Sequence, residues 1–367
     1  MRLISHTAFL IIVLFAAVGM AQQPPAKLGL DFPVPAWPAN GVVPADMKDK
    51  FVFVDLSKNE YIVAFPENLG STDYEKDGPG SMKVSRFELL RDVQPVVSTA
   101  ISPMNGGKLR YTYEVANGST AKQSIDQWSL IIPKAANASA IKFPDGWMAV
   151  IQPEREFKVL NPDWIKTGAA AIWSFKKPEQ VIQAGDKKTG FILESDLRPG
   201  FTLGYFRKAE SVDVTVASAG NSLPAIPGAA AGGRGGGRGG RGAPAPETPP
   251  VDPELQAAAK ARVEALKDQI DEMLRPEYNS KTVLMIGPKF AKDTDVKTVA
   301  ADFVQGLTLL SQTGGVDANS AFVKDVLEQL KAVESSGNAS AFKPAAQPTT
   351  PAETQVFNAL KVSLQAN

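Results

Sequence analysis

The sequence has no cysteine and a single histidine among its 367 residues, and its 39 basic side chains are matched by 39 acidic ones. The absence of cysteine excludes a disulfide framework, a thiolate nucleophile and a cysteine-ligated zinc or iron–sulfur centre. The histidine, His6, falls inside a stretch that reads as a cleavable leader, so the mature chain is expected to lack imidazole altogether. That removes the Ser-His-Asp triad, the usual zinc ligands and histidine-held haem. Balanced charge argues against an electrostatic nucleic-acid binder, which carries a basic excess, so no nucleic-acid partner is expected. No run after the leader is long and apolar enough to span a bilayer, so no integral membrane segment is expected either. What is present is 44% hydrophobic residues, enough to core one large domain or two.

Residues Met1 to Ala21 open with Arg2, continue through an apolar run from Ala8 to Val18 and end in Gly19-Met20-Ala21. A positive start, a short apolar stretch and small residues at the third-last and last positions make the plan of a secretory signal peptide, 1–21. The expected location is outside the cytoplasm, periplasmic or extracellular. Residues 22–50 are rich in proline and should run extended.

From 51 to 216 the periodicity is that of strands. In Leu109-Arg110-Tyr111-Thr112-Tyr113-Glu114-Val115 every second residue is apolar or aromatic, which places one set on each face of a pleated strand. Trp128, Leu130 and Ile132 repeat the alternation, as do Val212, Val214 and Val216. Further strands are expected at 51–55, 61–65, 171–175, 190–194 and 201–206. Asn105-Gly106-Gly107 and Asn117-Gly118 predict two hairpins, since Asn-Gly suits positive φ. Many short half-polar strands between turn residues predict an antiparallel β-sandwich.

Residues 217–251 contain nine of the chain's 30 glycines between Gly228 and Gly242, with three arginines and then alternating Ala and Pro. A segment with so little to bury is expected to be a disordered linker. Its resemblance to RGG boxes lacks the interleaved aromatics that stack on bases. Residues 252–367 are expected to be helical. Asp252-Pro253-Glu254 supplies a cap, a proline at the first position and an acidic first turn. Ala259, Val263, Leu266, Ile270 and Met273 then mark one helix face. Three more helices follow, through Val296 to Leu310, through Phe322 to Leu330, and from Pro351. The fold class expected is therefore a multidomain α and β chain: an N-terminal antiparallel sandwich and a C-terminal small α-helical bundle.

Candidate sites are few. Asp73-Tyr74-Glu75-Lys76-Asp77-Gly78 imitates the start of a calcium loop, but Val84 stands where a bidentate glutamate belongs. An acidic surface turn is the simpler reading; calcium, through Asp73, Glu75 and Asp77, is the one cofactor candidate. With imidazole and thiol gone, acid–base chemistry falls to carboxylates such as Glu154, Glu156, Asp163, Glu194 and Asp196, the pair a glycosidase would need. No residue is assigned as catalytic. Trp147 and Trp164 follow the turns Pro144-Asp145-Gly146 and Pro162-Asp163. At such turns an exposed indole would pack on a sugar's C–H face, while a buried indole would close a core corner.

The series Tyr111-Thr112-Tyr113-Glu114-Val115-Ala116-Asn117, Trp128-Ser129-Leu130, Phe143-Pro144-Asp145-Gly146-Trp147, Ile172-Trp173-Ser174, Ile182-Gln183-Ala184-Gly185 and Gly190-Phe191-Ile192-Leu193-Glu194-Ser195 resembles the Ig-like sandwich domains of uncharacterised exported bacterial proteins. The resemblance covers about residues 90–205, implies an Ig-like β-sandwich, and brings no activity or catalytic residue. The expected function is a non-enzymatic binding or structural module of the cell envelope with a protein or glycan partner; a carboxylate-dependent polysaccharide hydrolase or a carbohydrate-binding module is the alternative.

Overall fold

The computed structural model describes residues 32–158, 167–208 and 252–364. The leader 1–21, Asp163, Trp164, the strand expected at Val212 to Val216 and the 217–251 linker lie outside the described residues.

Three antiparallel sheets carry the fold. The first is β1 (Val52–Asp55), β2 (Glu60–Pro66) and β3 (Met82–Glu88), with the short helix α1 (Asp73–Asp77) between the last two. The second has the order β4 (Pro95–Pro103), β5 (Leu109–Asn117), β10 (Lys187–Ser195) and β7 (Ala140–Lys142). The third has the order β12 (Lys281–Phe290), β11 (Arg198–Arg207), β6 (Gln127–Ile132), β9 (Thr167–Phe175) and β8 (Trp147–Glu156).

The second and third sheets share one core. Tyr111, Tyr113 and Val115 of β5 point inward as their alternation requires and meet Trp128, Leu130 and Ile132 of β6 with Trp173 of β9. Trp128 lies directly opposite Trp173 in register, and the two rings stack at 4.2 Å. Phe206 stacks on the same indole and Phe191 meets it edge-on. Such pairs add about 0.5–1.5 kcal/mol each beyond the area they bury.

The turn signals divide. At Asn105-Gly106-Gly107 both glycines take positive φ, 76° and 71°, and the hairpin β4–β5 forms as expected. No hairpin forms at Asn117-Gly118. There the chain leaves the second sheet for β6 of the third, and Asn117 is a buried junction instead. Its Oδ1 accepts from Gln94 N at 2.9 Å and its Nδ2 donates to Gln123 O at 2.8 Å. A buried side chain that bonds backbone groups of separate segments reads in sequence like a turn residue.

The C-terminal third departs most from expectation. Helices α2 (Pro253–Met273), α3 (Val296–Gln312), α4 (Ala321–Ser336) and α5 (Pro351–Leu364) stand where the periodicity puts them, and Asp252 caps α2 by accepting from Glu254 N at 2.9 Å. They do not form a bundle of their own. Strand β12, inside the stretch expected to be helical, pairs with β11 from Arg198↔Phe290 to Phe206↔Lys281. Its apolar residues Leu284, Met285 and Ile286 are buried on both faces, so it shows no alternation to read. Helices α3 to α5 then cover the outer face of β11 and β12, where Phe201, Leu203, Leu284 and Ile286 share a core with Phe303, Leu307, Leu330 and Leu360. Gly306 of α3 lets this contact close, since a Cβ there would lie 2.0 Å from the Phe201 ring. Helix α2 goes elsewhere, burying Leu266, Ile270 and Met273 against Phe51, Val52 and Phe65 of the first sheet's core.

Buried charge ties these layers. Arg198 is 2% exposed and donates to the carbonyls of Ser363, Ala291 and Thr294 at 2.7, 3.1 and 2.6 Å. Asp302 accepts from Phe201 N at 3.0 Å and pairs with Lys289; burial pushes its carboxyl above the usual range. Among the described residues no helix is long and apolar enough to cross a membrane.

Candidate functional site

A cleft of about 440 Å³ opens where the first sheet meets the other two. Four separate pieces of chain line it: the β1–β2 tip with Ser57, Lys58 and Asn59, the end of β3 and its exit with Glu88, Arg91 and Asp92, the β5–β6 connection with Lys122 and Gln123, and Lys281 at the start of β12.

Local chemistry fixes each piece. The tip is held by Asp55, whose carboxylate accepts from Ser57 N at 3.1 Å and from its hydroxyl at 2.6 Å; the Ser57 hydroxyl holds that carboxyl below its ordinary range. Asn59 takes the left-handed conformation, φ 55°, which asparagine tolerates better than most residues. Its Nδ2 donates to Leu89 O at 2.8 Å, and Leu89 N returns a bond to Asn59 O. Gln123 is buried and joins the pieces, donating to Glu88 Oε1 and Leu89 O and accepting from Asp92 N, each at 2.8 Å. Burial pushes the Glu88 carboxyl up, but hydrogen bonds from Gln123 and Lys208 outweigh it and leave it below its usual value.

The charges around the cleft do not cancel. Lys58 pairs with Asp55, Lys122 with Asp92 and Lys208 with Glu88, at 3.8, 3.5 and 3.0 Å. Arg91 and Lys281 have no carboxylate partner among the described residues. The Arg91 guanidinium lies 4.9 Å from the Phe32 ring and donates one bond, to Tyr278 O at 3.3 Å. Burial lowers its pKa, yet a guanidinium keeps its proton at any ordinary pH. Two uncompensated cations facing one polar recess, one of them a planar fork with spare donors, make an arrangement that receives a carboxylate or phosphate.

The residues singled out from sequence lie elsewhere. Trp147 is 1% exposed: its Nε1 donates to Gln180 O at 2.8 Å and its ring meets Phe191 edge-on. It closes a core corner and presents no face to a ligand, which corrects its candidacy as a sugar platform. Asp73, Glu75 and Asp77 lie on α1, a single helical turn, where a calcium loop would be irregular, and Glu75 is taken by Arg262 of α2. Among the described residues no three acidic side chains gather to hold a metal ion. Glu194 is neutralised by Arg110 at 2.9 Å and Lys142 at 3.6 Å, and Glu154 accepts from Ala135 N at 2.9 Å. Glu156 and Asp196 are exposed.

A second polar cluster is structural. Glu277, buried, takes both terminal nitrogens of Arg155, at 3.1 and 3.2 Å, one from Arg275 at 3.1 Å, and Lys158 N. Burial raises its carboxyl and the Arg155 bonds lower it, with a net fall. It clips the exit of α2 to the end of β8. Neither Arg91 nor Lys281 carries a motif; they are brought together only by the strand pairing of β12.

No family model, curated protein or solved structure matches this chain.

Proposed function

We propose that this chain is a non-enzymatic binding module whose ligand carries a carboxylate or phosphate, held in the cleft between Arg91 and Lys281. The carrying observation is the charge balance: of the cations lining the cleft Lys58 and Lys122 are paired, Lys208 beside it pairs with Glu88, and Arg91 and Lys281 have no carboxylate partner among the described residues. The volume lies within the roughly 300–1,000 Å³ usual for small-molecule sites. The leader pattern from Met1 to Ala21 supports export, and the faced packing of the second and third sheets supports an Ig-like sandwich as the scaffold. In an exported protein, acidic saccharide is the ligand class that joins hydroxyls for Ser57 and Asn59 to a carboxylate for Arg91.

Calorimetric titration of the chain from Gln22 onward with trigalacturonate, inorganic phosphate and maltotriose tests this reading. Trigalacturonate should bind and maltotriose should not, with Arg91→Gln and Lys281→Glu each weakening binding about tenfold and added salt weakening it further. Equal binding of the neutral sugar, or affinity unchanged in both variants, would overturn it.

A further inference from the structure

A second opening, of about 840 Å³, lies between the start of α3, the 337–344 connector and the last turns of α5. Its lining is more apolar than that of the cleft. Phe342, Pro344 and Phe357 give it an apolar side, with Val296 and Leu364 largely buried beneath, and among the described residues the charged side chains lining it are Lys343 and Lys361. No carboxylate of the described residues lines it. The Lys361 ammonium lies 4.0 Å from the centre of the Phe357 ring, so it is laid along that side with its charge unpaired by any acid among the described residues. A third lysine borders this end: a Cβ on Gly337 would come within 2.9 Å of the Lys297 Cε. The uncharged polar side chains on it are Asn338 and Ser340, and the Asn338 Oδ1 already accepts from Ser340 N at 2.9 Å.

Phosphate alone would leave the Phe342 and Phe357 rings uncovered, so an occupant with hydrocarbon fits the lining better. A rim of lysines without acids excludes a neutral lipid, since nothing would use the charge. A protein partner would need roughly 800 Å² of matched surface on each side, whereas this groove has the volume of a small-molecule site. We infer that the groove binds a single-chain anionic amphiphile, with its acyl tail over Phe342 and Phe357 and its head between Lys343 and Lys361. A desolvated lysine–carboxylate pair next to an aromatic face gains from both the ion pair and the covered ring.

The test uses the full mature chain with sodium laurate below its micelle concentration as the probe, acetate as the head without the tail, and decyl maltoside as a neutral head with a tail. Lys343→Glu combined with Lys361→Glu reverses the rim, and Ser340→Trp obstructs the tail; all three positions are exposed, and the melting temperature checks folding independently. Laurate should bind, acetate and decyl maltoside should bind at least about tenfold more weakly, and each variant should weaken laurate by about tenfold or more. Equal affinity for decyl maltoside would show an apolar patch without head selection and overturn the proposal. Unchanged laurate affinity in the reversed-rim variant would do the same. Removal of residues 365–367 should leave laurate affinity as it is; a tenfold gain would identify the chain's own end as the occupant and overturn the amphiphile.

Discussion

The core between the second and third sheets is filled by rings, whereas the core between the third sheet and α3 to α5 is threaded with buried charge. In the first, Trp128, Trp173, Phe191 and Phe206 contact one another. Tyr111, Trp147 and Trp173 at its margin each donate to a backbone carbonyl, whereas Tyr113 Oη and Trp128 Nε1 have no hydrogen-bond partner among the described residues. In the second, Arg198, Asp302 and Glu353 are each held by several partners. The difference follows from what each core joins. Two sheets facing each other satisfy their backbones by strand pairing and need only fill volume. Helix ends docked on a sheet bring unpaired carbonyls and amides inside, and these require a polar side chain.

The largest test of this comparison severs the two sides. With a protease site placed in residues 229–249 and cleaved, the halves should remain together on gel filtration, because β11–β12 pairing and two cores cross the cut. Residues 252–367 expressed alone should show little fixed structure by near-ultraviolet circular dichroism; a cooperative melt of that fragment would restore an independent bundle. In the ring-filled core, Trp173→Ala should cost about 3–5 kcal/mol by denaturant unfolding, as large aromatic truncations do. In the charged core, Arg198→Met should cost about 2–4 kcal/mol, since three carbonyls lose a charged donor and stay buried. A loss below about 1 kcal/mol would mean that these carbonyls reach water.

Glu277→Gln should cost about 1–2 kcal/mol at neutral pH, less than a fully buried pair, because Arg155 and Arg275 are partly exposed and rehydrate. The sign with pH is fixed by the lowered carboxyl. Its contribution is complete above the ordinary glutamate pKa of 4.5 and is lost as pH falls through the folded-state value below that. The two proteins' stabilities should therefore converge in acid, and a gap that persists there would remove the charge from the explanation. The smallest effect is expected at Tyr113→Phe, where deletion of an unpartnered buried hydroxyl should leave stability unchanged or raise it by up to about 1 kcal/mol. A loss beyond about 1 kcal/mol would reveal a partner for that hydroxyl.

Much of the scaffold was legible because its signals are local. Tyr111, Tyr113 and Val115 alternate, Asp252 precedes a helical seam, and Gly106-Gly107 sits in a tight turn; each is a pattern within a few residues. Four strands escaped: β3, β7 and β8 because they are short or mostly exposed, and β12 because burial on both faces leaves no alternation. Asn117 misled for the converse reason: a buried junction residue has the same preference for local side-chain bonds as a turn residue.

The candidate sites were not legible at all. The sequence by itself determined what chemistry is missing, where the helices begin and which faces of the long strands turn inward, since these depend on residue type and short period. Only the tertiary structure decided that Lys281 would face Arg91, that α2 would complete the first sheet's core and that Trp147 would be buried. Contacts between segments some 200 residues apart depend on which apolar surfaces find each other on folding, and no local pattern encodes that choice.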